Sequence, residues 1–248
     1  TLIIALTPSQ IQTYFRRYLK GNEAFLHTYI TANEGTGKFA YDLSSTGFDF
    51  HGNHADLTTN TARDARISTS ASGLVQTGLL VNLEPGQTSS YPGSGSSWTN
   101  IGTGGSAYNA TLLNSPVFNT GYGGNLYFNG TNQSTSISRG TIQDDFTLSA
   151  WIKTTSSSGI LGGSWQGIGI IDGEVPYVVN DFGLTMAQGR FMFGVGNPEL
   201  TITSPNAYND NNWHHVVCTR VKSTGAMVMY VDGVQVATGT GSTNSLNS

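Results

Sequence analysis

Phe146-Thr147-Leu148-Ser149-Ala150-Trp151-Ile152-Lys153 is the stretch on which the fold turns. Phe146, Leu148, Ala150 and Ile152 alternate with polar residues, and only Trp151 breaks the polar side. Successive side chains on a strand point to opposite faces, so this period of two predicts a sheet with one buried face. The strand it predicts, Asp145–Lys153, has company on both sides. Runs of β character cover Gly78–Leu83, Asn125–Ile137, Arg190–Val195, Trp213–Val221 and Ala226–Ala237, separated by turns of Gly, Asn and Ser. Within the last run, Val231-Asp232-Gly233-Val234 sets Asp-Gly between two β-rich pieces, the pattern of a tight hairpin. No helical periodicity intervenes after Gly73. The expected class is mainly β, an antiparallel β-sandwich or jelly roll.

The first 72 residues read differently. Thr7-Pro8-Ser9-Gln10 supplies an N-cap hydroxyl, Pro at the first helical position and Gln at the third, a capping box. Ile11, Tyr14, Phe15, Tyr18 and Leu19 then recur at helical spacing, Arg16, Arg17 and Lys20 suit the negative end of the dipole, and Gly21 stops the helix. A helix over residues 8–20 is expected, after a buried strand at Thr1–Leu6. Residues 24–30 fit helix or strand equally. From Asp42 to Ser72 the chain is polar and turn-rich, an extended arm. Two parts are therefore expected: residues 1–72, a short α+β or extended anchoring module, and residues 73–248, the sandwich.

Composition narrows the function. Charged residues are only 10% of the 248, against roughly 25% in ordinary domains. The exposed surface is consequently amide and hydroxyl. Residues 1–72 carry six basic and six acidic residues, so the net charge of −4 belongs to the remainder. That balance offers no basic footprint for nucleic acid. No apolar run approaches the roughly 18 residues of a membrane span. A single cysteine, Cys218, excludes an intrachain disulfide framework, and its setting in Val216-Val217-Cys218-Thr219 reads as a small buried hydrophobe.

Four segments follow one another in a telling order. Leu79-Leu80-Val81-Asn82-Leu83-Glu84-Pro85-Gly86 precedes Ser90-Tyr91-Pro92-Gly93-Ser94-Gly95-Ser96-Ser97-Trp98. Gly123-Gly124-Asn125-Leu126-Tyr127-Phe128-Asn129-Gly130-Thr131-Asn132 comes next, then the strand quoted first. Last is Asn212-Trp213-His214-His215-Val216-Val217, leading into Met229-Tyr230-Val231-Asp232-Gly233-Val234. This order resembles the concanavalin A-like (laminin G-like) jelly-roll superfamily, in the form common in phage and bacterial surface proteins. Two departures stand out. Asn129 and Gln133 occupy places where the family pattern carries Asp, so calcium has no support in that loop and no cofactor is expected. The family also continues beyond the Asp232-Gly233 hairpin, whereas this sequence reaches Ser248 in a Gly/Ser/Thr/Asn tail. The resemblance therefore implies missing last strands, supplied by a longer chain or covered by a partner.

The superfamily includes glycosidases that set carboxylates as Glu-x-Asp-x-x-Glu, and no such array exists here. Asp144-Asp145 and Asp172-Gly173-Glu174 read as turns. Gly162-Gly163-Ser164-Trp165 is not a nucleophile elbow. Gly102–Gly105 and Gly121–Gly124 lack the Lys and helix of a phosphate loop, and read as turns. His214 and His215 are adjacent on a strand and cannot chelate together; one is expected to pack inward and the other to face solvent. His51, His54 and Asp56 cluster in a polar loop and read as surface residues rather than a metal site. Asn109, Asn129 and Asn132 fit the glycosylation pattern by composition alone.

A sugar site is the serious candidate. Sugars show one apolar face and a hydroxyl rim, and a site for them combines an aromatic platform with amides and carboxylates. Trp165, Asp172, Tyr177, Asn180 and Asp181 lie in one loop-rich stretch that supplies these types. The plainer reading has Trp165 and Tyr177 anchoring loops onto the sandwich. The expected function is a non-enzymatic bacteriophage virion protein: decoration, neck, tail or fibre. It displays the sandwich outward and attaches to other virion proteins through residues 1–72, as a homo-oligomer or assembly subunit. Cell-surface glycans are the expected external partner. A secreted or surface lectin is the alternative, and a glycoside hydrolase the third reading.

Overall fold

A computed structural model describes residues 39–40, 50–51, 77–138, 142–174 and 180–246. The chain divides into two compact units, Thr13–Leu74 and the remainder. In the first, β1 (Phe39–Ala40) pairs antiparallel with β2 (Phe50–His51). The expected helix over residues 8–20, the strand at Thr1–Leu6, and His54 and Asp56 lie outside the described residues.

The second unit is an antiparallel β-sandwich. Short strands come first: β3 (Ser97–Trp98), β4 (Ala110–Leu113), β5 (Val117–Asn119), β6 (Asn125–Tyr127) and β7 (Ser134–Ser136). The main strands follow: β8 (Phe146–Ile152), β9 (Ile168–Asp172), β10 (Phe182–Ala187), β11 (Arg190–Val195), β12 (Leu200–Thr203), β13 (His214–Val221), β14 (Ala226–Val231) and β15 (Val234–Thr240). One four-stranded sheet runs β12-β11-β10-β9 and the other β15-β14-β13-β8. Smaller sheets, β3-β4-β7 and β5-β6, complete the described pairing.

The two large sheets share one core. Phe182, Leu184, Met186, Phe191, Phe193 and Ile202 from the first meet Phe146, Leu148, Val216, Cys218, Met227 and Met229 from the second. Phe146 bridges them, its ring 4.9 Å from Phe182 and 6.1 Å from Phe193, edge-on to the latter. Each side chain buried this fully contributes about 1.5–3 kcal/mol relative to exposure, an upper figure because unfolded chains already bury some area. The hairpin predicted at Asp232-Gly233 is present. Both residues adopt positive φ, 53° and 77°, the type I′ geometry whose twist matches the strands it joins. Gln188-Gly189 does the same between β10 and β11, with φ of 50° and 79°.

Three expectations need correction. Gly78–Leu83 is no strand. Leu79, Val81 and Leu83 are buried in alternation, but the backbone pairs with a loop and a side chain instead of a ladder. Leu79 C=O accepts from Thr103 N–H, and the Asn100 amide spans the rest, accepting from Asn82 N–H at 2.7 Å and donating to Leu80 C=O at 2.9 Å. Asn125–Ile137 is two short strands, not one. Asn129 interrupts it, its Oδ1 accepting from the backbone N–H groups of Thr131, Asn132 and Gln133 while Gln133 Oε1 accepts from Asn129 N–H. Finally, β8 is covered on both faces over its first half: Thr147 and Ser149 are as buried as Phe146 and Leu148, and only Trp151 on that side is exposed.

Past β15, residues 241–246 form no strand yet are firmly held. Arg220, fully buried on β13, donates to the carbonyls of Gln143 and Asp144 at 2.8 Å and to those of Ser242 and Asn244. Its Nε has no partner among the described residues. Leu246 N–H donates to Gln143 C=O and its side chain is fully buried.

Candidate functional site

The outer face of the β9–β12 sheet carries small residues around Met192. Gly183 and Thr185 on β10, Gly194 on β11 and Thr201 on β12 share it, because each is offset by one from the core-facing Leu184, Phe193 and Ile202. This lets another segment lie against the backbone, and residues 158–167 do so. Ser164 N–H donates to Thr201 Oγ1 at 2.9 Å and to Glu199 Oε1 at 3.3 Å, while Thr185 Oγ1 donates to Ser164 C=O at 2.9 Å. A Cβ on Gly194 would sit 2.0 Å from Ser164 Oγ, so only glycine fits there. Gly163 N–H and Gln166 Oε1 close the turn at 3.1 Å.

Trp165 is carried outward by this loop and is 56% exposed. The residue that anchors the loop is Ser164, which corrects the expectation that Trp165 anchors it onto the sandwich. Ile160, Leu161 and Ile168 are also exposed in the sequence around Trp165. Tyr177 lies outside the described residues.

The structure brings Asp172 and Asp181 to one end of this sheet, where β9 finishes and β10 begins. Gly173 N–H donates to Phe182 C=O, and Asp181 C=O accepts from Gly196 N–H. A Cβ on Gly183 would lie 3.6 Å from Ser164 Oγ and 3.7 Å from Asp172 Oδ1, so the Trp165 loop and Asp172 meet above that glycine. Asn180 precedes Asp181 at the same end. Glu174, read from the sequence as a turn residue, and Glu199, which the sequence does not single out, also belong to it. Burial, then the negative charges of Asp172, Asp181 and Glu199, raise the Glu174 carboxyl above the ordinary range. Glu199 comes from the β11–β12 turn, and nothing local in the sequence marks its reach to Ser164.

Other candidates resolve as structure. Among the described residues no three of His, Cys, Asp or Glu converge as metal ligands. The Asn129 loop spends its amide oxygens on backbone N–H groups, which leaves no built place for a cation. Cys218 is fully buried, and burial pushes its thiol well above the usual value, which removes it as a nucleophile. The expectation that one histidine faces solvent is wrong. His215 is 4% exposed, stacked on Trp151 at 4.9 Å with Nε2 2.9 Å from Ser149 Oγ, and burial drives its pKa down to about 4. His214 is held between Asp232 and Asp210.

Parts of the chain are similar to known proteins. Residues 129–248 match the family model Laminin_G_3, described as the concanavalin A-like lectin/glucanases superfamily. Those residues are similar to a laminin G-like domain. A 60-residue stretch is 48% identical to laminin subunit alpha-4 of Mus musculus, covering 23% of this chain and 3% of that protein. The chain thus spans a small fraction of the curated relative it matches. Among solved structures it is similar to domains LG4-5 of the mouse laminin alpha1 chain, at 22% identity and a TM-score of 0.31 over 44% of this chain and 28% of that one. The botulinum neurotoxin serotype G binding domain is another, at 13% identity and a TM-score of 0.39 over 59% and 39%. The residues matched by that family model include Trp165, Asp172, Asn180 and Asp181.

Proposed function

We propose that this chain is a non-enzymatic adhesive protein of a bacteriophage virion, and that its laminin G-like sandwich binds an uncharged glycan at the Trp165 surface. One observation carries the binding part: an exposed indole on a rigid loop, beside a sheet end that gathers Asp172, Asp181, Glu174 and Glu199. An indole stacks on the apolar face of a sugar, and carboxylates accept from its hydroxyls. The same negative end repels sulfated or uronic sugars, which selects neutral ones.

The non-catalytic reading rests on how the face is filled. Glycoside hydrolysis needs two carboxyls about 5–9.5 Å apart across a bound sugar. Here the 158–167 loop covers the middle of the sheet face, and the acids stand at its end. The virion reading is supported by the neutral amide and hydroxyl surface and by the distinct first 72 residues, which would attach the chain to neighbouring subunits.

A glycan array with the full chain tests the binding. Specific retention of neutral glycans is expected, with at least roughly tenfold weaker binding for Trp165→Ala and Asp181→Ala, the loss of one stacked ring or charged acceptor. Unchanged binding in both variants would remove the site, and turnover of a bound polysaccharide would remove the non-enzymatic reading. Co-sedimentation with purified particles checks the virion assignment; a protein found only free in the medium favours a secreted lectin.

A further inference from the structure

His214 opens β13, where residues 204–213 cross from β12 into the second sheet. Its Nδ1 lies 2.7 Å from Asp232 Oδ2 in the β14–β15 turn, and its Nε2 lies 3.0 Å from Asp210 Oδ1 in the crossover. Ionised carboxylates only accept hydrogen bonds, and an imidazole donates from both nitrogens only when it is charged. The two bonds together therefore require the imidazolium. A neutral ring can keep one of them and must turn a lone pair toward the other carboxylate.

The two arms are unequal. Asp232 also accepts from His215 N–H at 2.9 Å and its side chain is 31% exposed. Asp210 is 53% exposed and is otherwise held by its own turn, through Asn212 N–H and Nδ2. Water can solvate Asp210 at little cost, whereas leaving Asp232 would strand a backbone donor. Among the described residues, Asp210 and Asp232 are the charged groups facing the ring. Tyr208 meets it edge-on at 5.0 Å, its phenol held neutral by burial and then by Asp232. From β8 the cross-strand partner is the apolar Ile152, and the next residue, Lys153, lies over the Tyr122 ring instead. His215 points to the opposite face.

We infer that His214 is a proton-operated latch: charged, it ties the 204–213 crossover to the β14–β15 hairpin, and on losing its proton it frees the Asp210 arm while keeping the Asp232 arm. Burial pulls the His214 pKa down, but the bonds and charges of Asp232 and Asp210 outweigh it, and the net shift is upward. A raised folded pKa means the latch is fully closed below the ordinary histidine value and opens as pH rises through the higher midpoint. Trp213, adjacent to the latch, packs edge-on against the exposed Tyr122 at 6.1 Å, so an open latch loosens that aromatic pair.

Titration of the His214 ring by NMR, with amide exchange of residues 208–213 followed on the full chain between acid and alkaline pH, tests this. The expected result is a midpoint above that of an ordinary histidine. Exchange at Asn211–Trp213 should quicken through the same midpoint, by roughly tenfold per unit of elevation. Asp210→Asn, a change at an exposed carboxylate, should lower the midpoint without removing the elevation due to Asp232. It should also leave 208–213 exchange insensitive to His214 titration. His214→Gln should exchange rapidly at every pH. A midpoint at or below the ordinary value overturns the latch, as does loop exchange that ignores the midpoint or keeps its pH response in Asp210→Asn. The Asp210 variant decides the matter even if His214→Gln does not fold.

Discussion

The outer faces of the two large sheets solve one problem in opposite ways. On the β9–β12 sheet the face beside Met192 is reduced to Gly183, Thr185, Gly194 and Thr201, so that a loop can lie on the backbone and be bonded through hydroxyls. On the β8-β13-β14-β15 sheet the face keeps bulky and polar side chains, and His215 is wedged between Ser149 and Trp151. The first face answers to volume more than to protons, its loop bonds involving one titratable group, the Glu199 carboxylate. The second is the reverse. A surface made by removing side chains fails when one is added back, and a surface made by burying an ionisable ring fails when that ring must charge.

Acid is expected to give the largest effect. Burial lowers the His215 pKa from 6.5 to about 4, so the folded form resists a proton that the unfolded chain accepts. Its contribution is intact above pH 6.5 and is lost as pH falls toward 4, to a total on the order of 3 kcal/mol. Urea unfolding of the wild type and a His215→Phe variant at both ends of that window checks this; an equal acid loss in the variant would assign the effect elsewhere. Gly194→Ala comes next. Its Cβ would meet Ser164 Oγ at 2.0 Å, and forcing the loop outward should cost about 2 kcal/mol at every pH. A loss that varies with pH would mean the two faces are not separate. The smallest effect belongs to Trp151→Ala, which uncovers the His215 ring. Water then reaches the imidazole and its pKa climbs back, so the acid-dependent loss should shrink by about 1 kcal/mol. The ring's NMR titration reads this directly, and an unmoved midpoint would show that the stack is not what keeps it dry.

This contrast also explains what the sequence could disclose. Strands β8, β11 and β13 and the Asp232-Gly233 hairpin were legible because their patterns are local: alternation, or a dipeptide that tolerates positive φ. Strand β10, Phe182-Gly183-Leu184-Thr185-Met186-Ala187, was not read as a strand. Its Gly183 and Thr185 look like turn and loop residues, and they are small because a loop lies on them. Gly78–Leu83 misled in the other direction, since its alternating burial is real but its partner is the Asn100 side chain. At the candidate site Trp165, Asp172, Asn180 and Asp181 were recognisable by chemical type. Ser164 and Glu199 were not, because a bond spanning 35 positions leaves no local trace.

Arg220 gives the last strandless residues a physical meaning. A guanidinium carried out of water must find replacements for the molecules that solvated it. The peptide oxygens of Ser242 and Asn244, with those of Gln143 and Asp144, act as that hydration shell in solid form. Residues 241–246 therefore serve this cation as solvent, fixed in place by the chain that contains it.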